Sequence, residues 1–389
     1  MNAIKADISP LALRSCWRWL TPAALGTLLG VAVLAIPTVR QLFVFEGLRW
    51  LYILFFAFLG SGVLTPLMVH LSHQWGLVDQ PSERKIHVCP TPRLGGVAVY
   101  LGFLGSVLLN SIVPDWMIAT LVAGSLLLIV GVIDDVWELP ASSKLLAQVI
   151  AAGIVISTGN VLTLFPIGPV GDVANVMLTL LWIVGITNAF NFFDGMDGLA
   201  TGLAIVIAGF MGAVAFETNQ PGVGWLAIAI IGAGVGFLPY NFRGHKPAVI
   251  FLGDGGATFL GFTLACLAVK GNWADHSPIV SFSNPLLIFG VLIYDMIHIT
   301  VERVTTGKVH SIKEWLDYVG KDHLHHRLER ALGSRQASVA MICLMTICLG
   351  LAALALRHAG TMEAVLLLIQ ACLIVVMITI LEWSGRQRH

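Results

Sequence analysis

Residues 175–216 read NVMLTLLWIVGITNAFNFFDGMDGLATGLAIVIAGFMGAVAF. Two apolar runs, near 175–190 and 198–216, enclose a short stretch of Asn, Asp and Gly. Each run approaches the roughly 20 mostly apolar residues that a membrane helix needs. The polar stretch carries Asn188 and Asn191, then Asp194 and Asp197, each pair three residues apart. On a helix, positions i and i+3 share a face. The segment therefore predicts two membrane helices joined at one membrane face, with chemistry in the connection.

Composition extends this reading to the whole chain. Of 389 residues, 57% are hydrophobic and only 11% are charged, and the mean hydropathy is +0.86. A soluble domain carries about 25% charged residues. A soluble enzyme, a disordered protein and a nucleic-acid binder built on a basic face are excluded. The 22 basic and 22 acidic residues cancel, so net charge points to no partner. Apolar stretches lie near 22–39, 49–70, 95–113, 116–134, 145–165, 175–190, 198–216, 224–240, 249–269, 285–301, 336–357 and 363–382. They predict an all-α, polytopic transmembrane bundle of about twelve spans in a single membrane domain. The first stretch follows Lys5, Arg14 and Arg18 and is read as a retained helix, since no small-residue cleavage site follows it. None of the six cysteines forms a Cys-x-x-Cys pair, and four lie in strongly apolar stretches, as small hydrophobes do.

Charge sorts by side. With an internal N-terminus, eighteen of the 22 Lys and Arg residues fall in cytoplasmic segments; Arg40, Arg49, Lys270 and Arg357 do not. That asymmetry predicts cytoplasmic termini and a cytoplasmic (inner) membrane location. Asp79, Glu83, Asp134, Asp135, Glu138, Asp194, Asp197 and Asp254 gather on the same side. A secondary transporter places its site near the bilayer midplane. A one-sided set suits an enzyme that joins a water-soluble cytosolic substrate to a lipid.

Four further segments share that side. GVIDDVWELPASSK (131–144) ends an apolar helix on Asp134 and Asp135, with Lys144 nine residues beyond the second. Two neighbouring carboxylates repel unless a cation or metal is close; the plain alternative is an interfacial stop signal. Adjacent helical side chains point about 100° apart, so one of the two, Asp134 for preference, is expected to face a cavity near Lys144 and the other a neighbouring helix or the entry of the lipid substrate. VIFLGDGGATFLGF (249–262) sets Asp254 among Gly253, Gly255 and Gly256, which bring backbone N–H groups towards phosphate or metal-bound water; a kink without function is the alternative. KDHLHHRLER (321–330) lies in the long polar segment 302–335, which is expected to be ordered. Zinc lacks a supporting cysteine cluster there, so a diphosphate site or a solvated basic loop is the reading. GLVDQPSERKIHVCPTPRLGG (76–96) combines basic anchoring with Asp79, His87 and a Pro-Thr-Pro turn. Asp295, inside the tenth span and three residues before His298, reads as an Asp–His pair on one helical face or as a packing partner.

These five segments, in this order, resemble the polyprenyl-phosphate N-acetylhexosamine-1-phosphate transferases of glycosyltransferase family 4, the group of MraY and WecA. The likeness covers residues 76–330. GLVDQP, the NAFN run and SRQA (334–337) look most like the WecA-type undecaprenyl-phosphate GlcNAc-1-phosphate transferases. The run His-Leu-His-His-Arg departs from the three successive histidines of MraY, which argues against a MurNAc-pentapeptide donor. The resemblance implies transfer of GlcNAc-1-phosphate, or another N-acetylhexosamine-1-phosphate such as GalNAc, QuiNAc or FucNAc, from a UDP-sugar to undecaprenyl phosphate. UMP is released, the lipid-linked product initiates a cell-surface polysaccharide, and Mg2+ is the cofactor, with Mn2+ as a substitute. Carried over, Asn191 and Asp254 look like metal ligands, and Asp134 and Asp135 like the catalytic pair. Asp197 looks like a uracil contact with Asp194 beside it, and Lys144 like a diphosphate contact. His323, His325, His326 and Arg327 look like a loop that closes on the sugar diphosphate, with His87 on the substrate side. The Asp pair either keeps the lipid phosphate deprotonated or attacks it covalently. The WecA branch is usually described with eleven spans, so twelve imply an extra N-terminal helix, near 22–39, ahead of a catalytic core near 49–335. Partners are the two substrates and the bilayer, with no nucleic acid and with room for a homodimer.

Overall fold

Proline decides where the first helix stops. Pro37 has no N–H and disfavours helix in the residue before it. Ile36 is accordingly extended, at φ −68° and ψ 123°, and Pro37 restarts the chain as the first residue of a new helix. The stretch expected as one helix over 22–39 is therefore two, α1 (Pro22–Leu34) and α2 (Pro37–Phe45), bent by 71°.

The computed structural model describes residues 22–80, 90–110, 113–244, 246–273, 278–311, 314–315, 318, 320, 322–356 and 360–386. After α2 come α3 (Arg49–Trp75), the strands β1 (Val78–Asp79) and β2 (Thr91–Pro92), and α4 (Gly95–Leu109). Then follow α5 (Asp115–Trp137), α6 (Ala141–Ser157), α7 (Pro169–Phe192), α8 (Leu199–Glu217), α9 (Pro221–Asn241) and α10 (Gly253–Lys270). The chain ends with α11 (Pro278–Ile288), α12 (Gly290–Thr305), α13 (Leu324–Leu332), α14 (Arg335–Leu356) and α15 (Thr361–Arg386).

Every predicted apolar stretch carries helix. Among the described residues, α3, α5, α7, α8, α9 and α14 are each long and apolar enough to cross a membrane. The number is eight if each bent pair, α1 with α2 and α11 with α12, is one span; α4 and α6 are shorter apolar helices. The expected tenth span breaks at Phe289 with a bend of 78°. The two-residue strands pair antiparallel, Val78 with Pro92 and Asp79 with Thr91.

Helix α10 is the axis of the bundle, packed on α5, α7, α4, α8 and α9. All its residues except Asp254 and Lys270 are buried. Its glycines explain how the neighbours come so close. A Cβ on Gly131 of α5 would lie 2.3 Å from the Gly255 Cα, and one on Gly96 of α4 would lie 2.3 Å from the Gly256 Cα. Small residues let membrane helices pack backbone to backbone, where no hydrophobic effect drives them together. Gly255 and Gly256 thus serve helix packing; the sequence had suggested ligand approach.

Candidate active site

The site forms where helix ends meet at one end of the bundle: the C-termini of α5, α7 and α9 and the N-termini of α6, α10 and α14. They surround a cleft of about 680 Å3. Asp134, Asp135, Lys144, Asp194, Asp197, Asp254 and His326 all line it. Asp79 and Arg93 line it too, so one cleft gathers side chains from five separate sequence segments. His87 lies outside the described residues.

The last turn of α5 supplies the first carboxylates. Asp134 is buried, and both its oxygens are engaged: Oδ1 accepts the Leu139 N–H at 2.6 Å and Oδ2 accepts Lys144 Nζ at 2.8 Å. Asp135 turns to α10, where its Oδ1 accepts the Asp254 N–H at 3.4 Å. That bond caps a helix whose own N-cap, Leu252, offers no side-chain acceptor. Gly253 just inside has φ +77°, and a Cβ there would meet the Arg93 carbonyl at 2.4 Å. Both members of the Asp pair therefore face the cleft, contrary to the expectation that only one would. Helix α5 ends at Trp137, and Glu138 beyond it lies in the left-handed region at φ 47° and lines the cleft.

Lys144 bridges the two sides, since its Nζ also lies 3.6 Å from Asp254 Oδ2. Asp194, in the α7–α8 connection, completes the acidic group. Burial, then the charges of Asp254, Asp135 and Asp197, push its carboxyl well above the usual range. Asp197 accepts the Ala248 N–H at 3.2 Å. Asn188 and Asn191 part company: Asn188 pairs with Gln148 of α6, whereas Asn191 lies beside Asp254. The Asn191 Nδ2 atom is buried without a hydrogen-bond partner.

That orphaned amide and the surplus of carboxylates test the fit to a metal. Lys144 offsets only part of the negative charge that Asp134, Asp135 and Asp254 carry when ionised, and burial together with the charges of Asp254 and Asp135 disfavours a further one on Asp194. Carboxylate and amide oxygens are the hard donors that Mg2+ prefers, and an amide can present its oxygen where its nitrogen finds no acceptor. The set fits such an ion in charge and donor type. Among the described residues, no three His, Cys, Asp or Glu side chains already form a ligand cage.

The histidine segment divides its labour. His326 lines the cleft. His323, His325 and Arg327 are buried behind it. His323 stacks on Phe192 at 4.9 Å, and His325 fits against Gly195, where a Cβ would come within 2.6 Å of its Nε2. Burial, then the neighbouring His326 and His323, hold the His325 imidazole well below the usual range, so it is neutral near pH 7. Asp295 does not pair with His298, which faces Glu302 at 3.5 Å. It accepts His323 Nδ1 at 2.7 Å, the Leu324 N–H at 2.7 Å and Arg327 Nη2 at 3.3 Å.

A sequence profile described as Glycosyl transferase family 4 matches residues 117–272. A Bacillus subtilis (strain 168) protein, "Probable undecaprenyl-phosphate N-acetylglucosaminyl 1-phosphate transferase", is 32% identical over 303 residues, 76% of this chain and 82% of its own length. The chain belongs to glycosyl transferase family 4. A Pasteurella multocida (strain Pm70) member, "Undecaprenyl-phosphate alpha-N-acetylglucosaminyl 1-phosphate transferase", is 33% identical over 309 residues, covering 75% of this chain and 82% of its own. A Mycobacterium tuberculosis (strain ATCC 25618 / H37Rv) member, "Decaprenyl-phosphate N-acetylglucosaminephosphotransferase", is 30% identical over 308 residues, covering 70% and 74%. In this family-4 enzyme the profile match holds every acidic residue that lines the cleft except Asp79. The histidine segment lies beyond the matched residues.

Sequence reasoning missed Asn241. It is buried at the end of α9; its Oδ1 accepts the Gly198 N–H at 2.7 Å and its Nδ2 donates to the Ile250 carbonyl at 3.0 Å. It thereby ties the Asp194–Asp197 connection to the one leading into α10. A lone Asn ending the apolar run GVGFLPYN was the available signal. Arg335 and Gln336 also line the cleft, although the sequence offered them only as part of a family likeness.

Proposed function

We propose that this membrane enzyme transfers GlcNAc-1-phosphate from UDP-GlcNAc to undecaprenyl phosphate, at the cytoplasmic face of the membrane, releasing UMP. The observation that carries the proposal is Lys144 set between Asp134 and Asp254 in an acidic cleft at the ends of membrane helices. On this reading a water-soluble anion enters that cleft from the cytoplasm and a lipid phosphate enters it from the bilayer. The names of the relatives support GlcNAc and undecaprenyl phosphate as the choice within that chemistry.

In the reaction a lipid phosphate oxygen forms a bond to the sugar-bearing phosphorus, and the anhydride bond from that phosphorus to UMP breaks. One phosphoanhydride replaces another, so no ATP is needed. The barrier lies in bringing two anions together, and positioning plus electrostatics must lower it. Lys144 meets the diphosphate with a full positive charge, and His326 offers a donor from the opposite wall. Asp135 has the less committed carboxylate of the pair and keeps the lipid phosphate deprotonated. Asp134 holds Lys144 in place. Asn191 and Asp254 would hold Mg2+, which supplies charge neutralisation at the diphosphate when bound. The Asp197 loop and the backbone near Ala248 form the wall against which the nucleoside rests.

The test uses purified protein, undecaprenyl phosphate, Mg2+ and a panel of UDP-N-acetylhexosamines, following UMP. Preferential release from UDP-GlcNAc is expected. Faster release from another UDP-sugar would reassign the donor, and no release from any would refute the reading.

A further inference from the structure

Helix α13 begins at Leu324 with its N-terminal N–H groups turned into the bundle. Its N-cap residue, His323, supplies no side-chain cap. Such groups must find an acceptor when buried. They find it far away in sequence. Asp295 on α12 is fully buried, at 0% exposure, and its Oδ1 takes the Leu324 N–H. The same carboxylate takes His323 Nδ1 and Arg327 Nη2, so three donors from one helical turn converge on it.

A second clamp of opposite polarity acts just ahead. Arg303, two turns along α12, binds Asp322 through Nε and Nη2, both at 2.8 Å, with Tyr318 under its guanidinium at 4.5 Å. The residues from Asp322 to Arg327 are thus tied to α12 by paired ions on both flanks. His326 stands between the tied positions and is the histidine that reaches the cleft. The ring of His325 keys the same turn beneath the Asp194 connection.

We infer that Asp295 is a positioning residue for the transfer: capping α13 from α12, it fixes the turn that delivers His326 to the cleft. It touches no substrate. The bend at Phe289 has a use on this reading, because it turns α12 so that Asp295 and Arg303 both meet the segment. A charged cap also suits a helix N-terminus, whose partial positive charge a carboxylate stabilises. A neutral amide at the same place would keep the shape while losing charge-assisted bonds to His323 and Arg327. The kinetic part of this inference rests on the transferase reading; the structural part does not.

Two measurements on the full-length protein in detergent separate them: amide hydrogen exchange, and steady-state UMP release. The variants are Asp295→Asn, Asp295→Glu, His326→Ala and the double variant of Asp295→Asn with His326→Ala. In Asp295→Asn, exchange is expected to quicken within 323–332 and to stay unchanged in α7 and α10. Its kcat should fall by roughly a hundredfold, the scale of a group displaced by about 1 Å. Asp295→Glu, which retains the charge, should recover part of that loss. In the His326→Ala background, Asp295→Asn should add little, because both changes act through one side chain. Unchanged exchange in 323–332, or fully multiplicative losses in the double variant, would overturn the inference. If the wild type releases no UMP while Asp295→Asn still loosens 323–332, the transferase reading fails and the capping role stands.

Discussion

Lys144 touches both sides of the acidic group, at 2.8 Å from Asp134 and 3.6 Å from Asp254. Its loss would leave those carboxylates facing each other and, on the proposed mechanism, remove the charge that meets the donor in the ground state. Lys144→Ala should therefore raise the KM for the UDP-sugar roughly tenfold or more, the worth of a charge-assisted hydrogen bond. Asp135→Asn should lower kcat with little change in that KM if, as proposed, its carboxylate acts on the lipid phosphate. Steady-state kinetics on the two variants distinguish these outcomes; equal and mild defects would reduce the pair to an interfacial anchor. Asp322 gives a pH prediction. Burial raises its carboxyl, but the Arg303 hydrogen bonds and charge outweigh this and hold it below the usual range. A depressed folded pKa contributes stability that is complete above the unfolded value, about 3.9, and is lost as pH falls through the folded value. Exchange within 322–332 should thus be indifferent to this group from pH 5 to 8 and rise only in acid below roughly pH 4. Asp322→Asn should show the loosened state already at pH 7. The carboxylates were legible in the sequence because acids are rare among apolar helices. Asp295 was legible as a residue but not in its role: its partners lie 28 to 32 positions away, and no helical periodicity reports a contact made across a bend.

At the scale of the element, glycines carry the packing that places the carboxylates. Gly131 sits one turn before Asp134 and touches Gly255, one residue after Asp254. Gly131→Ala should push α5 from α10, destabilise by about 1–3 kcal/mol as overpacking does, and depress activity further by separating Asp135 from the α10 N-terminus. Gly153→Ala is the control, since nothing lies within 4 Å of the added methyl. Thermal unfolding in detergent with parallel assays would decide; equal behaviour of the two variants would contradict the packing account. Helix positions were largely readable, because long apolar runs leave few other folds in a bilayer. The break at Ile36 was also in view, in Pro37. The break at Phe289 was not, because Pro285 and Gly290 are both tolerated inside membrane helices. The β1–β2 pair was hidden for a different reason: strands of two residues have no period to detect.

For the whole molecule, sidedness is the feature on which function depends. The cleft and the predicted inner loops share one end of the bundle, while Ile167, in the α6–α7 connection, stands almost fully exposed at the other. In a chain with its native cysteines replaced by serine, Ile167→Cys should react with an impermeant maleimide on intact cells, and Lys246→Cys should not. The reverse pattern would place the cleft outside. The sequence predicts this asymmetry once its apolar stretches are assigned, because Lys and Arg then gather in alternate connections. It could not show that the five segments close on one cleft, because that depends on how α10 is packed at the centre. The most direct measurement is UMP release by the purified enzyme from UDP-GlcNAc and undecaprenyl phosphate with Mg2+, compared with Asp254→Asn. The wild type is expected to turn over repeatedly only with both substrates present, and the variant to lose roughly a hundredfold or more, as removal of a group that stabilises the transition state does. A variant that retained near-normal turnover, or a wild type that released UMP without the lipid, would contradict it.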